Sequence, residues 1–318
     1  MRIGILGAAR IADQAIVTPA QVLGHELVAI AARDRARAEE YAAKHGIARV
    51  HETYAEVIAD PGIDMIYNPL VNSLHAEWNI AALRAGKHVL SEKPLSSNAA
   101  ETRRVRAVAR ESSGRLVEAF HYRHHPVNLR LRDLVTSGAL GEIRSVDLVL
   151  AIPAPPPTDP RWSLELAGGA TMDLGCYVLD AARTLGDWIG AEARITGVDV
   201  TLWAPEVDSA MQVEFAYDGG VTGRGRWDMA ADDLTMTWTV TGTAGTAVSQ
   251  SFAIPHFDNR ITVTRAGRTE DEVLGDQTSY TYQLARFAEN PPDELDGSVA
   301  TAELMDECYR RAGLTPRG

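Results

Sequence analysis

The sequence predicts an α/β chain in two parts. A parallel sheet with helices on both faces comes first, then an α+β domain with a large, open, mostly antiparallel sheet. Three observations predict this. Up to about Phe120, short apolar runs alternate with Ala/Arg/Glu-rich helical runs, the pattern of βαβ units. Past a helical segment at 126–137, the runs turn Thr-, Val- and Trp-rich and are mostly separated by turn residues, as antiparallel strands are. At 318 residues, the chain is long enough for two domains with a substantial core. No linker marks the division, which is expected between 1–121 and 122–318.

The first expected strand, Arg2–Leu6, runs into Gly7-Ala8-Ala9-Arg10-Ile11-Ala12 and then a helical run. Gly7 allows a tight turn, and Ala12 keeps the helix close to the strand. Ala9 stands where a second glycine usually lets backbone approach a pyrophosphate, so this is a dinucleotide fingerprint with one alanine substitution. The helix N-terminus offers N–H groups to phosphates. The second strand, 27–31, closes on Ala32-Arg33-Asp34. An acidic residue usually takes the ribose 2′-hydroxyl here. Ala32 carries no charge, and the Arg33 guanidinium suits a 2′-phosphate. NADP(H) is therefore expected, with NAD(H) the alternative. Against this, Arg33 and Asp34 could simply cap the helix at 34–45, or Asp34 could take the ribose.

The third strand, 65–67, leads through Leu70, Asn72 and His75 into a helix at 76–85. The fourth, 88–90, runs into Ser91-Glu92-Lys93-Pro94. Proline lacks an N–H and restrains the residue before it, which holds Lys93 at a strand's carboxyl end, where open α/β sheets bind ligands. A lysine fixed away from bulk water loses its proton more readily than a surface lysine. Lys93 is thus a candidate acid/base, and a solvated Lys-Pro turn is the bland alternative. A helix at Ala99–Glu111 and a strand at Leu116–Glu118 complete the first part.

In the second part, strands are expected at 142–151, 194–203, 209–217, 221–228, 234–242 and 261–265. Gly168-Gly169 can turn the chain into a helical run at 170–185, where Asp173 and Tyr177 stand four apart, on one face. Oxidising an alcohol by hydride transfer needs a base for the hydroxyl proton, and reduction needs an acid. A phenol beside a protonated lysine could serve, because the positive charge favours phenolate. Otherwise Asp173 is a first-turn acid and Tyr177 a core aromatic. Arg161 and Trp162 could line a sugar pocket, or Trp162 could anchor its loop. His121, Arg123, His124 and His125 crowd the junction without a matching carboxylate pattern, so no metal is expected.

A net charge of −12 argues against nucleic acid or anionic membrane as the main partner. Two cysteines, Cys176 and Cys308, indicate neither a disulfide framework nor a metal cluster. No run reaches membrane-span length, and the first strand starts too early for a signal peptide to precede it. A cytoplasmic protein is expected.

These motifs resemble the glucose–fructose oxidoreductase and inositol dehydrogenase (Gfo/Idh/MocA) family over nearly the whole chain. The resemblance rests on the Gly7–Ala12 turn, Asn72-Ser73-Leu74-His75, Gly86-Lys87-His88-Val89 and Glu92-Lys93-Pro94. It continues in Glu118-Ala119-Phe120, Tyr122-Arg123-His124-His125-Pro126, Gly168-Gly169-Ala170 and Asp173-Leu174-Gly175-Cys176-Tyr177. Members with the last arrangement look most like dimeric dihydrodiol dehydrogenases and NADP-dependent D-xylose dehydrogenases, whereas inositol dehydrogenases typically carry His where this chain has Tyr177. The resemblance implies a Rossmann-like cofactor domain and an oxidoreductase acting on a sugar or cyclic polyol. Tyr177 would be proton donor and acceptor, Lys93 its electrostatic partner, and Asp173 the group orienting the lysine or the substrate hydroxyl. Gly7, Ala8, Ala9, Arg10, Ile11, Arg33, Leu70, Asn72, His75, Glu92, Lys93 and His121 would contact the cofactor. Arg161, Trp162 and Tyr177 would contact the substrate. A keto-sugar or nucleotide-sugar reductase, a trans-dihydrodiol dehydrogenase and a non-catalytic NAD(P)-binding regulator are the alternatives. The last is disfavoured because Lys93, Asp173 and Tyr177 are all present. The family also implies a homodimer or homotetramer through the second sheet. Its exposed face would then be apolar or aromatic, with Trp203, Phe215, Trp227 and Trp238 as candidates, on which the core has an equal claim until register is known.

Overall fold

The computed structural model describes residues 1–291 and 293–318. The chain forms two compact units, Met1–Phe120 with Tyr280–Val299, and His121–Ser279 with Ala300–Gly318. This departs from a single division at 121/122: His121 falls in the second unit, and residues 280–299 return to the first. The return has a packing cause, since Tyr280, Leu284 and Phe287 are buried in the first unit's core.

The first unit is a six-stranded parallel sheet of β1 (Arg2–Leu6), β2 (Glu26–Ala31), β3 (Arg49–Val50), β4 (Met65–Asn68), β5 (His88–Ser91) and β6 (Leu116–Glu118). Its helices are α1 (Thr18–Leu23), α2 (Arg35–His45), α3 (Tyr54–Ala59), α4 (Asn72–Arg84) and α5 (Ala99–Glu111). The strand order β3-β2-β1-β4-β5-β6 is the doubly wound one, with its switch point between β1 and β4, where such sheets bind ligands. Strands covered on both faces read as continuous apolar runs, because alternate residues enter opposite cores. Ile3, Ile5, Ile30, Met65, Tyr67 and Leu90 fill one core, and Leu6, Val28, Ile66, Val89 and Leu116 the other. The pairing partner β3 escapes notice in the sequence because it is two residues long. Helix α4 starts four residues earlier than expected, because its polar first turn of Asn72 and Ser73 reads as loop.

The second unit contains α6 (Pro126–Thr136), β7 (Ile143–Ala151), α7 (Cys176–Ile189), β8 (Ala193–Ala204), β9 (Val207–Tyr217) and β10 (Thr222–Asp228). It continues with β11 (Thr235–Gly242), β12 (Gly245–Ser249), β13 (Arg260–Arg265) and β14 (Arg268–Val273). The eight strands form one sheet in the order β14-β13-β12-β11-β7-β10-β9-β8. Its pairs are antiparallel except β7 with β10. Helices α8 (Ser279–Ala288) and α9 (Leu295–Arg311) end the chain. No helix among the described residues is long and apolar enough to cross a membrane.

Of the four candidate aromatics, the core claims three. Phe215, Trp227 and Trp238 are buried core residues, and only Trp203 is substantially exposed, at 42%. The alternate positions along β9 and β10 are Gln212, Glu214, Arg224 and Arg226, all exposed. Arg224 is paired in register with Glu214 on β9 and Asp147 on β7. Alternation puts large apolar side chains on one face and opposite charges on the other, and register decides which.

Candidate active site

In the first unit, β1 ends in a turn built for close approach. Gly7 has φ +93°, a left-handed conformation that disfavours side chains, and a Cβ there would also meet Leu70 Cδ2 at 3.0 Å. Its N–H donates to Ala31 O at 2.7 Å, tying the turn to β2. Ala8 and Ala9 add only methyl groups, and the helix begins at Ile11, with Ala12 N donating to Ala9 O at 3.0 Å. That helix passes through a π-helical turn, Asp13–Val17, before α1. Arg10 and Arg33 are exposed. Arg37, which the sequence reading missed, donates from Nη2 to Ala8 O at 3.2 Å and so brings a third cation to the turn. Asp34 is the N-cap of α2, its Oδ1 accepting from the N–H groups of Ala36 (3.0 Å) and Arg37 (3.4 Å). The cap engages one carboxylate oxygen, Oδ1. Small residues, a helix N-terminus and nearby guanidinium groups fit a dinucleotide carrying an extra phosphate.

The loop that carries Lys93 is braced from both sides. Lys93 is half-buried, and its peptide bond to Pro94 is cis. Before it, Tyr67 OH donates to Glu92 Oε1 at 2.8 Å. After it, Glu118 Oε1 accepts from Leu95 N at 2.8 Å, and Asn79 Nδ2 donates to Leu95 O at 3.3 Å. Asn79 is aligned in turn by Asn68 Nδ2 at 2.8 Å and by Ser91 Oγ at 2.9 Å. Burial, then the Glu92 charge, pushes the Tyr67 phenol well up, so it stays a donor.

His75 bridges two loops. Its Nδ1 lies 2.7 Å from Pro94 O and its Nε2 2.8 Å from Leu70 O. The ring is buried and ties the Leu70 loop to the Lys93 loop, so both nitrogens are engaged within the protein. Two carbonyls could use two N–H donors, which only imidazolium has. Burial, the larger influence, lowers its pKa, with the carbonyls opposing. We favour the neutral ring, because Lys93 adds to the penalty on a second charge.

In the second unit, the helix with Asp173 and Tyr177 is seated by a buried carboxylate. Gly169, at φ +121°, lets the chain pass where a Cβ would lie 2.2 Å from Asp208 Oδ1. Asp208 Oδ2 accepts from Thr171 N at 2.6 Å and Thr171 Oγ1 at 2.7 Å. Its Oδ1 accepts from Arg317 Nη2 at 3.2 Å and Tyr309 OH at 3.3 Å. Thr171 Oγ1 accepts from Trp227 Nε1 at 3.0 Å. The turn Thr171–Gly175 is π-helical and leads directly into α7. Helices at both the phosphate turn and this site thus begin irregularly, and π-bulges are frequent at functional sites.

Asp173 accepts from Arg161 Nη1 at 3.3 Å, and Arg161 Nε also donates to Asp159 Oδ1 at 3.0 Å. Burial works against the Arg161 charge, but the Asp159 bond and the two carboxylates outweigh it and raise the pKa. Arg161 thus bridges Asp159 and Asp173. Trp162 anchors its loop. It is buried, donates from Nε1 to Pro155 O at 3.3 Å, and stacks on Trp203 with centroids 4.3 Å apart and planes at 14°.

Tyr177 is 7% exposed, and its hydroxyl lies 3.0 Å from His121 Nε2. His121 Nδ1 lies 2.8 Å from Ser279 Oγ. Asp180, three residues past Tyr177, fixes the turn that bears His121. It accepts from Tyr122 OH at 2.6 Å, Arg123 Nε at 2.8 Å, Arg183 Nη2 at 3.2 Å and Thr301 Oγ1 at 3.0 Å. Burial pushes the Asp180 carboxyl up, yet Arg123 and Arg183 prevail and bring it down to about 2. His125 caps α6, its Nδ1 accepting from Val127 N at 3.3 Å, and burial followed by the His256 charge lowers it to about 4. Among the described residues, no group of three His, Cys, Asp or Glu side chains is placed to hold a metal ion. Asp208, Ser279 and His256 gave no signal in the sequence, because their partners lie 23 to 158 positions away.

Comparisons with known proteins cover both parts of the chain. Residues 1–120 match the family model described as "Oxidoreductase family, NAD-binding Rossmann fold". Residues 128–248 match the Gfo/Idh/MocA C-terminal domain. A D-xylose 1-dehydrogenase (NADP(+)) of Haloferax volcanii is 34% identical over 98% of this chain and 97% of its own length. A dTDP-3,4-didehydro-2,6-dideoxy-α-D-glucose 3-reductase of Streptomyces violaceoruber is 32% identical over 91% of this chain and 84% of its own. The crystal structure of KijD10, a 3-ketoreductase from Actinomadura kijaniata in complex with NADP and TDP-benzene, superposes with a TM-score of 0.88 at 30% identity, covering 99% of this chain and 98% of that one. With its doubly wound first unit, open-sheet second unit and matches across both, the chain belongs to the Gfo/Idh/MocA oxidoreductase family.

Proposed function

We propose that this enzyme is an NADP(H)-dependent dehydrogenase or reductase of a sugar or cyclic polyol, with Tyr177 handling the hydroxyl proton and Lys93 as its electrostatic partner. The observation that carries the reading is the Tyr177 phenol itself, aimed by His121 on the helix that also bears the Arg161-held Asp173. When bound, the nicotinamide supplies or accepts the hydride, while the protein holds it and manages the proton. In the oxidative direction Tyr177 takes the hydroxyl proton, and in reduction it gives one to the new alkoxide. The Lys93 ammonium favours the phenolate form that the first of these requires. Asp173, held by Arg161, orients the lysine or the substrate hydroxyl.

Gly7, Ala8, Ala9 and the helix beginning at Ile11 would receive the pyrophosphate, Arg33 the 2′-phosphate, and Leu70, Asn72 and Glu92 would flank the nicotinamide half. Arg33→Ala should weaken NADPH tenfold or more, on the order of one charge-assisted hydrogen bond, and NADH far less. Fluorescence titration of both cofactors checks this, and equal losses would remove Arg33 from the 2′-phosphate.

A nucleotide-sugar keto-reductase is the second reading. It is favoured by the likeness to the ketoreductase solved with NADP and TDP-benzene, and the same residues would run reductively. A trans-dihydrodiol substrate is a third, since a dehydrogenase so named from Xenopus tropicalis is 27% identical over 98% of this chain. We place the enzyme in the cytoplasm and infer a homodimer or homotetramer through the open face of the second sheet. That face offers the in-register Arg224, Glu214 and Asp147 charges for pairing. Sedimentation velocity tests the assembly, and a monomer at micromolar concentration refutes it.

A further inference from the structure

We infer that His121, Ser279 and His256 form a proton relay between the Tyr177 hydroxyl and solvent. The inference rests on the reading of Tyr177 as the proton-handling group. Tyr177 is almost wholly buried, yet each turnover in that reading leaves it one proton richer or poorer. A buried phenol therefore needs a path by which the balance is restored, and one continuous chain of polar atoms leads from it.

The chain has a single consistent polarity, fixed by a backbone group. Ser279 N–H, which can only donate, points at His256 Nδ1 from 3.4 Å. That makes Nδ1 the lone-pair nitrogen of His256 and puts the ring proton on Nε2. The Ser279 hydroxyl, 3.0 Å from the same Nδ1, then donates to it as well. Its oxygen is left to accept from His121 Nδ1–H at 2.8 Å. A neutral His121 protonated at Nδ1 presents its Nε2 lone pair to Tyr177 O–H at 3.0 Å. Each member accepts on one side and donates on the other. His121 and Ser279 are buried, whereas His256 is only partly so, and the neighbouring Phe257 is 62% exposed.

In the oxidative direction, the proton on Tyr177 Oη passes to His121 Nε2. His121 gives its Nδ1 proton to Ser279 Oγ as Ser279 passes its own to His256 Nδ1. His256 then releases its Nε2 proton to water. One proton enters, one leaves, and no electrons change hands. Burial lowers the pKa of His256, which keeps it neutral and able to accept. His125, which feels the His256 charge, is likewise lowered and adds no positive charge at neutral pH.

The first test needs no substrate. In protein labelled with 15N-histidine, long-range proton–nitrogen correlation spectra, assigned with His121→Gln and His256→Gln variants, report each ring's tautomer. The relay requires Nδ1–H on His121 and Nε2–H on His256, and the opposite tautomer on either ring overturns it. The kinetic test uses NADP+ and D-xylose, with NADPH and a dTDP-keto-sugar for the reverse direction. Ser279→Ala should lower kcat about tenfold, the low end of losing a positioned proton-transfer group, with KM and NADPH affinity unchanged. His256→Ala should fall similarly and recover on adding imidazole to the buffer. If Ser279→Ala and His256→Ala keep full kcat while Tyr177→Phe collapses, the relay is wrong and the role of Tyr177 stands. If Tyr177→Phe itself keeps full kcat, the reading beneath the relay fails instead.

Discussion

Replacing Lys93 with alanine is expected to reduce turnover by about a thousandfold or more while leaving NADPH binding within a few-fold of the parent. The two halves of that expectation have separate structural causes. Binding should survive because four bonds that do not involve the lysine side chain hold the loop. Tyr67 holds Glu92, His75 holds Pro94 O, and Glu118 and Asn79 hold Leu95, all through bonds that Lys93→Ala leaves in place. Turnover should fail because the proposed base is a phenol, and without a neighbouring ammonium its ionisation near neutral pH costs several kcal/mol. Lys93→Arg should recover little, since a guanidinium is a planar fork that never gives up its proton. Steady-state absorbance of the nicotinamide measures the rate, and fluorescence titration measures the binding. Full activity in Lys93→Ala would remove the residue from the mechanism. Lost cofactor binding would make it a structural element of the loop.

How far the sequence revealed these features depends on where each one's partners lie. The strands of the first sheet are legible because burial on both faces makes them apolar throughout, as in Ile3 to Leu6 and Met65 to Tyr67. Strand β14 is not, because it is the sheet edge and reads Arg-Thr-Glu-Asp-Glu-Val, with five of its six residues exposed. Charges on an edge strand deter pairing with other chains, and they erase the alternation by which a strand is recognised. The site shows the same split. Lys93 and Asp34 announce themselves through local chemistry, a strand end before proline and a helix N-cap. The partners of His75 and His121 are not legible in the sequence, because they lie far along the chain. His75 reaches Pro94, and His121 reaches Tyr177 and Ser279. Trp162 became an anchor only once β8 had brought Trp203 against it. Asp208 had no local signal at all, although Thr171, Arg317 and Tyr309 converge on it to seat the Tyr177 helix.

Tyr177→Phe is expected to lower kcat by roughly 10²–10⁴-fold, the usual loss when a positioned acid/base is removed, with little change in KM. The substitution deletes one oxygen and keeps the ring. The ring is what packs, with Tyr122 at a centroid distance of 5.8 Å and His121 at 5.9 Å, so the helix should stay in place. The stability cost should be confined to one hydrogen bond, about 1 kcal/mol, read from chemical denaturation. A kinetic loss of about 3–5 kcal/mol in barrier would then far exceed the structural loss. That inequality is what separates a group acting in the transition state from one that merely packs beside it. If the rate fell only in proportion to stability, or stayed near the parent value, the proton would have to move through another group or through water. Arg161-held Asp173 would then be the next residue to test, because it stands one helical turn before Tyr177, on the same face.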